Sequence, residues 1–236
     1  MTELLFLTDA YLQTFAATIT GHVDGGVVLD RTAFYPGGGG QPYDVGTLTA
    51  GDQAWTVAQV KRASGQLVHY LMGEPPAVGT AVTGQLDWER RYQLMRTHTA
   101  MHILCGVVWR DYEASVTGGN MEPLKGRMDF EFERMQQELV AEIEAAVNRE
   151  VEAARPVRIQ ILPREEAFQI PDLIRTKINL LPEGITQVRT VEIVGLDLQA
   201  DGGTHVANTR EVGRMHIADY KSKGKINKRI YVELEE

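Results

Sequence analysis

The spacing of apolar residues changes near residue 88, and this change constrains the fold more than any other feature of the sequence. Before it, threonines, valines and aromatic residues alternate with polar residues in short runs separated by glycines, at residues 17–36, 46–72 and 77–88. Alternation with a period of two is typical of half-buried β-strands. The sequence therefore predicts a small antiparallel barrel or sandwich in this part of the chain.

From Glu89 onward the apolar residues recur at helical spacing, which predicts a helix over residues 89–112 with buried positions at Leu94, Met101, Ile103, Leu104 and Val108. A second helix is predicted over residues 133–154, with apolar positions at Met135, Leu139, Ile143, Ala146 and Val147. We also predict a strand at 155–163, a short helix at 164–170, one or two strands at 186–200 and a closing hairpin at 213–235. The second part is therefore predicted to be α+β.

Composition limits the class of protein. A chain of 236 residues can form one large or two modest domains with a sizeable core. Its formal net charge of −8 means that a polyanionic partner must meet a local basic patch. Cys105 is the only cysteine, which excludes an internal disulfide and fits a reducing compartment. The acidic N-terminal segment does not resemble a secretory signal, and no apolar run approaches about 18 residues, so we expect a cytoplasmic protein without a membrane span.

Two histidines, His98 and His102, stand four residues apart in the first predicted helix. This spacing places both imidazoles on one face, with Cβ atoms about 6 Å apart, so both rings can reach one metal ion. A partly buried polar pair is the more ordinary interpretation of the same spacing. The motif alone leaves both interpretations open.

A second pair of potential ligands, Asp201 and His205, flanks two glycines in the segment DGGTH. The glycines would let the backbone pass close to a ligand that the two side chains hold. A surface turn with both side chains solvated is the alternative. Combined with the helical histidines, the segment gives three imidazoles and one carboxylate, a set that suits Zn²⁺.

These motifs resemble the paired HxxxH and CxxxH motifs, the second as C-G-G-T-H, of the alanyl-tRNA synthetase editing domain and of its freestanding relatives, the AlaX proteins. Residues 29–48, LDRTAFYPGGGGQPYDVGTL, resemble the glycine-rich segment of that family. Residues 126–132, GRMDFEF, resemble the strand before its long helix, and residues 204–213 and 221–234 resemble its C-terminal part. The resemblance runs from about residue 29 to the end of the chain and is closest to AlaX proteins of medium length.

The resemblance implies a fold and an activity. The fold is an α+β one, with an N-terminal antiparallel β-barrel followed by the editing core that alanyl- and threonyl-tRNA synthetases share. Residues 1–88 would then be a glycine-motif domain, and residues 89–236 a zinc-binding tRNA-editing core. The activity is hydrolysis of the ester that joins a wrong amino acid to tRNA(Ala), chiefly serine and, as a second candidate, glycine. No obligate protein partner is expected.

The resemblance also implies site residues. One Zn²⁺ would be held by His98, His102, Asp201 and His205. Thr32 and Gln41 would be the catalytic residues of the editing pocket, and Gly39, Gly202 and Gly203 would contact the substrate. Taken without the resemblance, an ordinary strand threonine and a flexible glycine loop would explain residues 32 and 37–40 equally well.

The sequence departs from the family pattern at Asp201, which stands where the family has cysteine. A carboxylate can fill this position, since it binds Zn²⁺ at about 2.0–2.2 Å where a thiolate binds at about 2.3 Å. Cys105 is an unsuitable substitute, because it follows His98 by seven residues, or about 10 Å along the helix axis. We therefore predict that Asp201 contacts the metal or its ligands, and that Cys105 is a buried core residue.

Five cations between residues 221 and 229 form a basic run without an intervening acid: Lys221, Lys223, Lys225, Lys228 and Arg229. A solvated hairpin loop is the usual explanation for such a run. In an acidic protein it is also the best candidate for a phosphate-binding strip, with Lys223 and Lys225 as tRNA contacts and Arg90, Arg91 and Arg96 as further cations. Two other functions stay open at this point: a tRNA-binding module that has lost catalysis, and a zinc hydrolase of another ester.

Overall fold

The computed structural model describes residues 2–132, 136–171, 173 and 184–235. The chain divides into two compact units, Met1–Tyr92 and Gln93–Glu236. The division of function between residues 1–88 and 89–236 remains a prediction. None of the helices within the described residues combines the length and the apolar character that crossing a bilayer requires.

The first unit consists of β-strands and one short 3-10 helix, Leu5–Leu7. The strands are β1 (Glu3–Leu4), β2 (Thr14–Val23), β3 (Gly26–Leu29), β4 (Arg31–Thr32), β5 (Gly46–Ala50), β6 (Gln53–Ala63), β7 (Gln66–Leu71) and β8 (Ala81–Leu86). Six of them close into an antiparallel barrel in the order β2-β3-β7-β6-β5-β8, while β1 and β4 form a separate parallel pair. The barrel predicted for this part of the chain is confirmed.

Alternation along the strands explains the barrel. In β8, every second residue is buried and the others are exposed, so one face of the strand enters the core. The core contains Phe15, Phe34, Leu48 and Val57. Gly84 gives room for the Phe15 ring, because a Cβ at this position would lie 2.4 Å from Phe15 Cζ.

The second unit combines helices with two sheets. Its helices are α1 (Trp88–Tyr112, which begins in the first unit), α2 (Gln137–Glu152) and α3 (Arg164–Ala167), with a 3-10 helix at Thr209–Val212. Its strands are β9 (Val116–Glu122), β10 (Lys125–Glu131), β11 (Val157–Pro163), β12 (Gln187–Ile193), β13 (Asp197–Ala200), β14 (Met215–Ser222) and β15 (Asn227–Leu234). The sheets have the orders β14-β15-β10-β9 and β11-β12-β13. The predicted α+β class is confirmed.

Helix α1 is buried on nearly all sides, as expected for a helix with apolar residues around most of its circumference. All five positions predicted to be buried are at most 2% exposed. His98 and His102 lie among these apolar residues and are also buried. The helix therefore carries two titratable side chains through the interior of the second unit.

The second unit shows two details that the sequence did not specify. In α2 the first buried apolar residue is Val140 rather than Leu139, and the predicted start at Glu133 and Met135 lies outside the described residues. Strand β9 was not predicted, because its sequence VTGGNME contains few residues that favour strands. Among the described strands, it forms the edge of its sheet and pairs with β10.

Candidate metal centre

Two elements of the second unit bring four potential metal ligands together. Helix α1 supplies His98 and His102, whose ring centroids are 5.2 Å apart. The loop after β13 supplies Asp201 and His205. One nitrogen or carboxylate oxygen from each residue lies within 4.8 Å of those from the other three. Cys105 lies outside this group, buried in α1.

The three imidazoles face one carboxylate through the same ring nitrogen. Nε2 of His98 lies 3.4 Å from Asp201 Oδ2, Nε2 of His102 lies 3.9 Å from the same oxygen, and Nε2 of His205 lies 3.2 Å from Oδ1. The ring of His205 stacks on that of His98 with centroids 4.2 Å apart. Four ligand atoms thus converge on a space of the size that one metal ion occupies.

The backbone of Asp201 is fixed by Arg189 of β12. The Asp201 amide donates to the Arg189 carbonyl at 3.0 Å, and Arg189 Nη1 donates to the Asp201 carbonyl at 2.9 Å. The Asp201 side chain in turn accepts a hydrogen bond from the Gly203 amide at 2.6 Å, which shapes the glycine turn. A Cβ at Gly202 would meet no atom within 4 Å, so the loop is open on that side.

The remaining nitrogens of two histidines have partners outside the cluster. His102 Nδ1 lies 3.0 Å from Asp197 Oδ2, and His205 Nδ1 lies 3.3 Å from Thr99 Oγ1. Such outer partners orient metal-binding imidazoles in proteins. They leave Nε2 of each ring directed toward Asp201.

Two members of the cluster, Asp201 and His205, have the protonation states that metal binding requires. Burial raises the pKa of Asp201, but the charge of His98 and hydrogen bonds from His102 and His205 hold it well below its usual range. Burial and the charge of His98 lower the pKa of His205 well below its usual range. Asp201 is therefore an anion and His205 is neutral near pH 7, which are the forms that bind metals.

His102 differs from His205. Burial lowers its pKa, but hydrogen bonds to Asp197 and Asp201 outweigh burial and raise the pKa to about 9. A metal ion that binds this ring must therefore displace a proton from it. Three imidazole nitrogens and one carboxylate oxygen form a donor set that fits Zn²⁺, so these four residues could hold such an ion.

The glycine loop of the first unit has a fixed conformation. Each of residues 37–40 has a positive φ, between 58° and 138°, which favours glycine at all four positions. Gly38 and Gln41 exchange two backbone hydrogen bonds across the turn, at 3.0 and 2.9 Å. Gln41 is buried, and Gly39 lies at the tip between them.

A buried ion pair holds the base of this loop. Asp44 accepts a hydrogen bond from the Tyr35 amide at 2.6 Å and from Arg91 Nε at 3.0 Å. Arg91 also donates to the carbonyls of Ala10 and Ala33 and is completely buried. The prediction that Arg91 extends a phosphate-binding strip is therefore wrong, because the Arg91 guanidinium is buried and paired with Asp44 inside the first unit.

Thr32 is completely buried within the first unit and has two partners there. Its Oγ1 lies 2.9 Å from His69 Nε2 and accepts a hydrogen bond from the Phe34 amide at 3.1 Å. Burial lowers the pKa of His69 to about 4, against the opposing hydrogen bond to Val27, so this ring is neutral near pH 7. His69 Nδ1 faces the Val27 carbonyl at 3.3 Å and must carry the proton, so Thr32 donates to Nε2.

Two family models match parts of the chain. Residues 4–90, which include the glycine loop, match the model described as tRNA synthetases class II (A). Residues 188–231, which include the DGGTH loop, match the model described as Threonyl and Alanyl tRNA synthetase second additional domain. The glycine loop of the first unit and the DGGTH loop of the second unit thus each lie within one of the two matches.

Relatives that match over their full length show the family. A protein of Saccharolobus solfataricus named Alanyl-tRNA editing protein AlaX-M is 39% identical over 237 positions, covering 98% of each chain. The chain belongs to the AlaX-M family. A second AlaX-M relative, from Methanosarcina barkeri, is 36% identical and covers 99% of both chains. Alanine--tRNA ligase of Pyrobaculum aerophilum is 39% identical over 92% of this AlaX-M chain, which spans 25% of that relative.

The basic strip of this AlaX-M chain is narrower than its sequence suggests. Lys228 is buried and donates to the carbonyls of Gly224 and Lys225, while Arg229 forms an ion pair with Asp129 at 2.7 Å. Lys221 pairs with Asp219 at 3.0 Å, although both are exposed. Lys223 and Lys225 are also exposed on the hairpin and are the remaining candidates for phosphate contacts.

The other two arginines named with the strip have contacts of their own. Arg90 Nη2 donates to the Tyr43 carbonyl at 3.3 Å, within the first unit. Arg96 Nη2 donates to the Val212 carbonyl at 3.0 Å and also to the Glu235 carbonyl. Their part in phosphate binding stays a prediction.

Two residues of the sites were not predicted from the sequence. Asp197 contacts His102, and His69 contacts Thr32. The one sequence signal for Asp197 was its position in a short strand that leads into Asp201. This signal is weak, because acidic residues at alternate strand positions occur in many proteins. His69 gave no signal, because its partner is 37 residues away.

Proposed function

We propose that this protein is a trans-editing hydrolase that removes a wrong amino acid, chiefly serine, from tRNA(Ala). The single observation that carries the proposal is the convergence of His98, His102, Asp201 and His205 in a chain that matches AlaX-M relatives over its full length. The names of these relatives support alanyl-tRNA editing. Serine rather than glycine as the main substrate, and a cytoplasmic location, are parts of this proposal.

The reaction is hydrolysis of an ester at the 3′ end of tRNA. Water adds to the carbonyl carbon, the bond to the ribose oxygen breaks, and a free amino acid and the uncharged tRNA leave. Zn²⁺, held by the four-residue cluster, would supply Lewis-acid activation of water or of the carbonyl when bound. The protein residues must place the terminal adenosine and a water molecule beside each other.

Protein groups have separate tasks in this proposal. Asp201 and the three histidines hold the metal, and the open side of Gly202 leaves room for the 3′ end, which Gly203 would also contact. Gly39 and Gln41 would contact the aminoacyl group, since backbone amides in a glycine loop can approach a ligand closely. Cys105 is a buried core cysteine and has no task in this proposal.

A panel of esters tests the proposal. Purified protein should release serine from Ser-tRNA(Ala) much faster than alanine from Ala-tRNA(Ala), and Gly-tRNA(Ala) shows whether glycine is a second substrate. A module that has lost catalysis would bind these tRNAs and cleave none of them. A hydrolase of another ester would cleave a small model ester without preferring any aminoacyl-tRNA.

We expect that Thr32→Val narrows the ratio of Ser-tRNA to Ala-tRNA cleavage by roughly tenfold, the value of one neutral hydrogen bond. Size cannot exclude alanine, because alanine is smaller than serine, so a polar group must recognise the serine hydroxyl. Thr32 donates its proton to His69 and keeps one lone pair that can accept from such a hydroxyl. Both substrates should be measured on the variant under single-turnover conditions.

The ratio is the informative quantity, because Thr32→Val also leaves His69 Nε2 without its donor and should lower stability. Thr32→Ser keeps the hydroxyl and is the matched control, so its ratio should stay near that of the wild type. An unchanged ratio in Thr32→Val would show that another residue recognises serine and that Thr32 is only structural.

We expect that replacing Lys223 and Lys225 with glutamine weakens tRNA binding and flattens its dependence on salt. Each lysine that contacts a phosphate releases counterions, so the loss of two contacts should reduce the slope of log K against log salt by about two. Single-turnover rates at saturating tRNA should persist. Lys221→Gln is the matched control on the same hairpin, because Lys221 already pairs with Asp219. An unchanged slope in the double variant would assign these lysines to a solvated hairpin.

A further inference from the structure

Asp197 lies beside His102, at the ring nitrogen that does not face the metal cluster. Its Oδ2 is 3.0 Å from His102 Nδ1, whereas His102 Nε2 is 3.9 Å from Asp201 Oδ2. We propose that Asp197 is a positioning residue that fixes His102 with Nε2 directed into the metal centre. This inference rests on the proposed zinc-dependent function and adds a residue to it.

The hydrogen bond determines which nitrogen can bind a metal. An ionised carboxylate can only accept a hydrogen bond, so Nδ1 of His102 must carry the proton that Asp197 accepts. A neutral imidazole has one N–H and one lone pair, and Nε2 is then the nitrogen that keeps the lone pair. The negative partner also increases the electron density that His102 offers to a metal.

Asp197 is itself held in place. Its side chain is completely buried, and Gln199 Nε2 donates to the same Oδ2 at 2.7 Å. The Gln199 amide also lies 3.4 Å from Cys105 Sγ in α1, so it links β13 to the helix that carries His102. A series of contacts therefore runs from Gln199 through Asp197 to His102.

Close packing of the backbone explains how Asp197 reaches this ring. Gly106 lies one helical turn after His102, and a Cβ there would be 2.9 Å from Leu196 Cγ and 3.1 Å from Asp197 Cβ. Glycine at this position lets the turn between β12 and β13 approach α1 closely. This close approach brings the Asp197 carboxylate within hydrogen-bond distance of the His102 ring.

Zinc affinity in the absence of tRNA tests the inference. We expect Asp197→Asn to weaken zinc binding by about 10- to 100-fold, the usual effect of removing such an outer carboxylate. Asp129→Asn is the matched control, because Asp129 is also a buried carboxylate in the second unit but pairs with Arg229. Its zinc affinity should equal that of the wild type, even where its stability falls.

Nuclear magnetic resonance of the zinc-loaded wild type keeps the test decisive if Asp197→Asn does not fold. We expect the His102 ring to carry a slowly exchanging proton on Nδ1, with Nε2 unprotonated. A metal bound through Nδ1, or unchanged zinc affinity in folded Asp197→Asn, would overturn the role of Asp197 alone. A wild type that binds no zinc would overturn both this role and the proposed metal centre.

Discussion

Replacing His102 with alanine should lower the zinc content and abolish deacylation together. The wild type is expected to carry about one Zn²⁺ per chain and the variant much less, because only two of the three imidazoles of the cluster remain as nitrogen ligands. The substitution also leaves the Asp201 carboxylate with two of its three facing imidazoles. Elemental analysis and single-turnover hydrolysis of Ser-tRNA(Ala) on the same preparations measure both effects.

His216→Ala is the matched control for this experiment. The His216 side chain is 42% exposed and lies 2.9 Å from Glu235, on a different element from the cluster. Its variant should keep the zinc content and the rate of the wild type. A His102→Ala protein with normal zinc content, or with full activity in the absence of zinc, would contradict the assignment of this residue to a catalytically required metal site.

Replacing Asp44 with alanine should lower the free energy of unfolding by about 3–5 kcal/mol. The change leaves the completely buried Arg91 guanidinium without its anion and removes the acceptor of the Tyr35 amide. An uncompensated charge and an unsatisfied amide in the interior are both costly. Urea unfolding of the full chain, followed by fluorescence, measures the loss.

Two comparisons separate the buried pair from an ordinary ion pair. Glu3→Ala removes an exposed partner of Arg31 at 2.8 Å and should cost about 0–1 kcal/mol. The double variant Asp44→Leu with Arg91→Leu should be more stable than Asp44→Ala, because no charge remains buried alone. An Asp44→Ala protein as stable as Glu3→Ala would show that Arg91 does not depend on this carboxylate.

The periodic parts of the fold could be predicted from the sequence because the polarity of each residue indicates by itself whether its position is buried. Alternation of polar and apolar residues predicted the barrel, and helical spacing of apolar residues predicted α1 with its buried residues. The spacing of His98 and His102 placed both rings on one helical face. Bringing that face to the DGGTH loop, about 100 residues away in sequence, requires tertiary structure. The ligand chemistry of the two motifs suggested that they combine, and the resemblance to a known family implied it.

The charges were harder to predict than the periodic elements. Arg229 lies in a run of cations, but the pairing of β10 with β15 places Asp129 opposite it. Lys228 is buried in its own hairpin. A run of cations in the sequence does not indicate that one of them is buried. Arg91 follows two other charged residues, yet it alone enters the core. For Arg229 and Arg91 the decisive partner is distant in the sequence, whereas Lys228 donates to carbonyls three and four residues away in its own hairpin.

The most direct test of a zinc-dependent editing enzyme is the time course of Ser-tRNA(Ala) hydrolysis by the purified wild type, recorded before chelation, after chelation and after zinc is restored. The account predicts rapid release of serine, loss of activity with the metal, and recovery on addition of about one equivalent of Zn²⁺. Equal rates of serine release at all three stages, from protein shown to contain no metal after chelation, would contradict it.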